Sequence, residues 1–77
     1  MSFKIYDVVR LIAINSDELC LGDAFNTRPP QVGDIATILE IYDNPPGFEL
    51  ECSDKLGGTV WLLGFQEKDV QLELVNI

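Results

Sequence analysis

A chain of 77 residues is long enough for one domain, which we place over residues 1–77, but too short to build a deep active-site cavity as well. Thirteen acidic residues outnumber five scattered basic ones, so the clustered lysine and arginine that bind nucleic acid or an anionic membrane surface are missing. The sequence contains no histidine, which removes the commonest general base and the commonest metal ligand.

The first strand is predicted over residues 6–14. Side chains alternate along a strand, so Arg10 faces water while Val9 and Leu11 face the core. Two apolar residues share the face of the arginine: Val8 and Ile12. This strand is therefore expected to be covered on both sides or to lie against a partner.

The connection that follows, residues 15–31, is long and polar and ends in two adjacent prolines. Prolines lack the backbone N–H and disfavour both helix interiors and central strands. We expect a loop folded back onto the domain, with at most one helical turn over residues 17–21 and Ser16 as its N-cap. Three apolar residues are expected to anchor this loop: Leu19, Leu21 and Phe25.

The second strand is predicted over residues 35–42, where Gly33 turns the chain directly into a β-branched, apolar run. The sequence Asp-Asn-Pro-Pro-Gly at residues 43–47 then predicts a turn between two strands. The third strand has the clearest alternation, with Glu49 and Glu51 facing outward. Its inward-facing side chains are Phe48, Leu50 and Cys52.

A glycine pair at residues 57–58 predicts the next turn. A fourth strand is predicted over residues 59–65, in which Gly64 marks a bulge or a site of close approach. A polar turn is predicted at residues 66–69, in the form of one turn of 3₁₀ helix. A fifth strand is predicted to follow it over residues 70–74. Five short strands predict an all-β fold closed into a small barrel, because closure protects the edges of the sheet.

This order of elements resembles the Src-homology-3-like small barrels, which share a long first loop, a three-strand meander and a short turn before the last strand. Residues 32–38 also resemble the glycine-containing start of a KOW-type barrel strand. The resemblance implies a five-stranded Src-homology-3-like barrel with a long first loop.

A family of small bacterial proteins of unassigned function is similar over most of the chain. Five motifs followed by an aspartate carry this similarity: Asp7-Val8-Val9-Arg10-Leu11, Gly33-Asp34-Ile35-Ala36-Thr37, Glu40-Ile41-Tyr42, Phe48-Glu49-Leu50-Glu51, Leu62-Leu63 and Asp69. The chain departs from the family at Ala36, where glycine is usual, and in its longer first connection with two prolines. The motifs mark fold positions, so no catalytic residue is transferred. Some small acidic barrels of this kind are encoded beside toxins, which implies an immunity or antitoxin-type role.

The residues themselves predict no catalysis, no cofactor and no metal site. Cys20 and Cys52 lack the CxxC spacing of zinc or redox sites, and Cys52 is expected to pack as a small core hydrophobe. A disulfide between them stays open, although a reducing cytoplasm is the expected compartment. Glu49 and Glu51 lie roughly 7 Å apart on one strand face, where we expect them to be hydrated surface groups.

The fourth strand has apolar residues on both faces, of which a barrel buries only one. If Val60 and Leu62 fill the core, the opposite face becomes an exposed apolar strip that is typical of a partner site. That strip consists of Trp61, Leu63 and Phe65. Alternatively, Trp61 caps the open end of the barrel beneath the long loop.

We therefore expect a non-catalytic protein-interaction module, an immunity or antitoxin-type protein being one form of it, that occludes the surface of a basic protein. Its binding surface would combine the apolar strip with three neighbouring residues: Tyr42, Glu49 and Glu51. The alternative is a structural accessory subunit of a larger assembly, or a barrel that forms a homodimer through the same strip.

Overall fold

The structure is a computed structural model that describes residues 3–15 and 28–75 of the chain. These residues form five strands and one turn of 3₁₀ helix: β1 (Val8–Ile14), β2 (Ile35–Asp43), β3 (Pro46–Ser53), β4 (Thr59–Gln66), the 3₁₀ turn (Glu67–Asp69) and β5 (Val70–Leu74). The predicted all-β class and the order of the elements are confirmed.

All five strands are antiparallel and form one sheet in the order β4-β3-β2-β1-β5. β5 pairs with β1 from Ile14 opposite Val70 to Val9 opposite Leu74, so β4 and β5 lie at the two edges of the sheet. Within the described part of the chain no ladder joins these edges. The sheet is thus open there, and the closure that the sequence predicts is not observed.

One face of the sheet carries the core, to which every strand contributes. Its buried hydrophobic residues are Val9, Leu11, Ala36, Ile38, Phe48, Leu50, Cys52, Trp61, Phe65 and Val70. The predicted inward positions on β1 and β3 are confirmed, and Arg10 is exposed as expected. No charged or other hydrophilic side chain of the described residues is buried, so hydrophobic burial is the main stabilising contribution.

The turn between β2 and β3 is tighter than the predicted five-residue segment, because Pro46 and Gly47 already belong to β3. Pro46 pairs with Asp43 and Gly47 pairs with Tyr42 across the hairpin. Gly47 also pairs with β4, where a Cβ at this position would overlap the carbonyl oxygen of Phe65. Only glycine allows the two strands to approach so closely here.

The connection between β1 and β2 is long, as predicted. Its expected folded-back course, the N-cap at Ser16 and the three apolar anchors (Leu19, Leu21 and Phe25) all lie within residues 16–27, outside the described residues. Cys20 lies there too. The connection enters the described structure again at Arg28.

Candidate binding surface

The six residues expected to bind a partner lie on two opposite faces of the sheet. On the core side are Trp61, Leu63 and Phe65, and on the outer side are Tyr42, Glu49 and Glu51. The structure therefore brings the last three together and separates them from the first three by the thickness of the sheet.

The expected exposed strip on β4 is wrong. Trp61 is 0% exposed and Phe65 is 5% exposed, while Leu63 is half-buried and packs against the core. The two aromatic rings meet edge to face with their centroids 5.9 Å apart, a favourable aromatic arrangement. The alternative place for Trp61, beneath the long loop, involves residues outside the described part of the chain.

A polar cluster around Asp34 explains how β4 can bury its tryptophan. The indole Nε1 of Trp61 donates a 2.9 Å hydrogen bond to Oδ2 of Asp34. The guanidinium of Arg28 donates to both carboxylate oxygens at 2.8 and 2.9 Å, and the backbone N–H of Gln31 donates to Oδ2 at 2.9 Å. A buried indole N–H needs such an acceptor, so Asp34 makes the inward position of Trp61 favourable.

The pKa values in this cluster follow from the same contacts. The hydrogen bonds from Arg28, and then that from Trp61, hold the pKa of Asp34 below its ordinary value despite its partial burial. Its carboxylate is therefore charged at neutral pH and stabilises the end of the long connection. Sequence reasoning missed this cluster, because Trp61 lies 27 residues from Asp34 and no local pattern links the two.

The outer surface of β2 and β3 carries the second set of residues, which we call the acidic face: Glu40, Tyr42, Glu49 and Glu51. Glu40 lies directly opposite Glu49 in the β2–β3 ladder, and Glu51 lies opposite Thr37. Like charges directly opposite each other on neighbouring strands are destabilising. The ion pairs within the described residues are Arg10–Glu73 and Arg28–Asp34, so neither of them offsets this repulsion.

Two of these carboxylates accept hydrogen bonds from neutral hydroxyl groups. Tyr42 donates its hydroxyl to Oε1 of Glu49 at 3.3 Å, and Thr59 donates to Oε2 of Glu51 at 2.9 Å. Partial desolvation and the negative charge of Glu49 raise the pKa of the Tyr42 phenol, so it stays protonated as the donor. The predicted association of Tyr42 with Glu49 is thus present in the structure.

A pocket of about 300 Å³ lies next to the acidic face. Tyr42 and Pro45 form part of its wall, and two glycines, Gly47 and Gly64, also line it. Gly64 lies opposite Glu49, and a Cβ at Gly64 would stand 3.2 Å from Oε1 of that glutamate. Of the two predicted roles for Gly64, the structure therefore supports the close approach, since the β3–β4 register shift lies elsewhere, between Cys52 and Ser53.

A second surface, the apolar patch, consists of Ile12, Val32 and Ile35. These side chains are 40%, 64% and 41% exposed, and Ile35 lies opposite Arg10 in the β1–β2 ladder. Ile12 is thus not covered by the residues that the structure describes, and the other expectation for its face of β1, contact with a partner, stays a prediction.

The described part of the chain contains no group of three or more cysteine, aspartate or glutamate side chains placed to hold a metal ion. Cys52 is buried in the core, as predicted. Of the two states that the sequence left open for it, the structure shows the free thiol and not a disulfide, and burial raises the pKa of this thiol. None of the helical structure in these residues is long and apolar enough to cross a membrane.

Comparison of the chain with protein-family models, with curated proteins and with solved structures gives no match in any of the three. The resemblance to small bacterial barrels gains no support from these comparisons. What is established is an antiparallel sheet of five strands with a buried apolar face and an acidic outer surface.

Proposed function

We propose that this protein is a non-catalytic interaction module that binds a basic protein through the acidic face. The opposition of Glu40 and Glu49 carries the proposal. The repulsion between these two carboxylates lowers the stability of the isolated chain, whereas lysine or arginine side chains of a partner would convert the repulsion into attraction.

The net charge of the chain also supports a basic partner. A net charge of −8 on 77 residues attracts a basic partner over a distance and raises the rate of productive encounter. The protein would act by occlusion, with the outer surface of β2 and β3 covering the partner. Salt would lower the affinity mainly by lowering the association rate, because it screens exposed charges.

The proposal extends to the type of fold and to the biological setting. The strand order β4-β3-β2-β1-β5, with a 3₁₀ turn between the last two strands, supports the proposal of a Src-homology-3-like fold, although β4 and β5 form no ladder within the described residues. An immunity or antitoxin-type protein of the bacterial cytoplasm, which neutralises a basic toxin by covering its surface, is the form of the function that the resemblance favours.

The test is co-expression with the product of the neighbouring gene, followed by co-purification and measurement of association rates at low and high salt. We expect the triple variant Glu40→Gln, Glu49→Gln and Glu51→Gln to associate about tenfold more slowly at low salt. A control triple variant changes the net charge equally but outside the acidic face: Asp43→Asn, Glu67→Gln and Asp69→Asn. If no complex forms, or if the two triple variants bind alike, the proposal is wrong.

The second candidate function is self-association or a role as an accessory subunit, and the apolar patch favours it. The interface cannot be the tryptophan strip considered from the sequence, because Trp61 is buried. Ile12, Val32 and Ile35 would form the interface instead. Sedimentation of the pure protein decides this: a monomer at all concentrations excludes the homodimer, and a dimer that Ile35→Ser dissociates supports it.

A further inference from the structure

We propose that the pocket beside Tyr42 receives an arginine side chain of the basic partner. This inference rests on the proposed function and deepens it by naming the group that the acidic face recognises. The pocket of about 300 Å³ is large enough for one long side chain, and it lies beside the carboxylates that would attract a cation.

The two glycines make the pocket. Gly47 lies opposite Tyr42 on the neighbouring strand, and Gly64 lies opposite Glu49. Gly47 lets β3 and β4 approach closely, since a Cβ there would overlap the carbonyl oxygen of Phe65. Gly64 leaves room for the Glu49 carboxylate, whose Oε1 is 3.2 Å from where a Cβ would stand, so this carboxylate reaches the border of the pocket. The phenol ring of Tyr42, which is 46% exposed, and the ring of Pro45 form its apolar borders.

The Glu49 carboxylate lies at the border of the pocket, because it contacts Tyr42 and approaches Gly64, two of the lining residues. Oε1 of Glu49 accepts a 3.3 Å hydrogen bond from the hydroxyl of Tyr42. This hydrogen bond holds the carboxylate against the pocket. Within the described residues, Oε2 of Glu49 accepts no hydrogen bond and can take one from a ligand. Glu40 lies directly opposite Glu49 in the β2–β3 ladder. The Cβ atoms of such a pair are about 5 Å apart, so one cation can contact both carboxylates.

Arginine fits this combination better than lysine does. Its planar guanidinium can stack on the Tyr42 ring while it donates several hydrogen bonds to carboxylates at its edge. It is also less strongly hydrated than an ammonium group, so its transfer into a pocket with apolar borders is easier. Lysine would reach the same carboxylates but would gain less from the ring.

The test uses the full chain, ¹⁵N-labelled, titrated with N-acetyl-arginine amide, N-acetyl-lysine amide or N-acetyl-citrulline amide while amide chemical shifts are recorded. We expect arginine to shift the signals of Tyr42, Gly47 and Gly64 in a saturable way. The lysine compound should bind at least about threefold more weakly, and the uncharged citrulline compound should cause no saturable shift. Equal responses to arginine and citrulline, or shifts spread evenly over the sheet, would overturn the proposal.

Substitutions separate the ring from the charge. Tyr42→Ala should weaken arginine binding about threefold or more, whereas Tyr42→Phe, which keeps the ring, should stay within about twofold of the wild type. Glu49→Gln should weaken binding, while Glu73→Gln, which removes an exposed carboxylate on β5 outside the acidic face, serves as the matched control. If Glu73→Gln weakens binding as much as Glu49→Gln, the recognition is general charge attraction and not the pocket.

The failure of this inference can be told apart from the failure of the proposed function. If the acidic-face triple variant loses the neighbouring protein while Tyr42→Ala retains it with unchanged affinity, the acidic face binds without the pocket and the arginine inference is wrong. If the triple variant retains full association, the proposed function itself is wrong.

Discussion

The indole nitrogen of Trp61 lies 2.9 Å from the carboxylate of Asp34 and donates a hydrogen bond to it. This contact links β4, at one edge of the sheet, to the residue that immediately precedes β2. Because Asp34 also binds Arg28, one carboxylate connects the end of the long connection to the largest side chain of the core.

Replacing Asp34 with alanine should destabilise the fold. The variant leaves the N–H of Trp61 without its acceptor and Arg28 without its partner, so we expect a loss of about 2–4 kcal/mol in the free energy of unfolding. Urea denaturation followed by circular dichroism measures it. Asp43→Ala, an exposed aspartate at the end of β2, is the control and should change stability by less than about 0.5 kcal/mol.

The same carboxylate should give the protein a pH-dependent stability. Arg28, and then Trp61, lower the pKa of Asp34 in the folded state, so its contribution is complete above the ordinary aspartate pKa of about 4 and is lost as the pH falls through the lowered value. The stability difference between wild type and Asp34→Asn should therefore be largest near neutral pH and shrink in acid. Urea midpoints measured from about pH 7 down to pH 2 would show this. A difference that is constant over the range contradicts it.

The fluorescence of the single tryptophan should report a fully buried ring. Trp61 is 0% exposed, so we expect blue-shifted emission from the native protein and little quenching by iodide, both changing to the behaviour of free tryptophan on unfolding. Strong native-state quenching would instead show that Trp61 faces solvent. A Trp61→Phe variant provides the background signal.

The two pocket glycines should differ in their tolerance of a side chain. Gly47→Ala would push a methyl group into the Phe65 carbonyl, a backbone atom that cannot move away, and should cost about 2–3 kcal/mol. Gly64→Ala meets only the end of the flexible Glu49 side chain and should cost about 1 kcal/mol or less. Urea denaturation of both variants tests the comparison, and equal losses would contradict the close approach at Gly47.

The backbone at Tyr6 should be a site where stability can be gained. Its φ of +73° lies in the left-handed region, which costs a bulky residue about 1 kcal/mol, while its side chain is 75% exposed. Tyr6→Asn should raise the free energy of unfolding by about 0.5–1 kcal/mol, because asparagine tolerates this conformation. Tyr6→Ala, which retains the strain, is the control, and equal stability of the two variants contradicts the explanation.

The sequence predicts a strand well when its two faces differ in chemistry. Along β3, Phe48 and Leu50 alternate with Glu49 and Glu51, and the inward and outward faces were predicted correctly. β4 is apolar on both faces, so alternation alone cannot choose between them. The choice depends on an acceptor for Trp61 that lies 27 residues earlier in the chain, a long-range contact that no local pattern contains.

The candidate site was only partly predictable for a related reason. Tyr42 and Glu49 were grouped from the sequence, but the opposition of Glu40 and Glu49 depends on a register shift between Ile38 and Glu40. One extra residue at that point moves Glu40 to the outer surface together with Tyr42. The open edges of the sheet likewise follow from the pairing of β5 with β1, strands that are separated by most of the chain.

The buried thiol of Cys52 allows the rate at which the core opens to be measured. Alkylating reagents react with thiolates that they can reach, and a sulfur enclosed between β3 and its neighbours becomes reachable only while those strands have separated. In a Cys20→Ser variant, the rate of Cys52 alkylation would therefore report how often the native protein opens spontaneously. A bound molecule that holds the strands together would lower this rate.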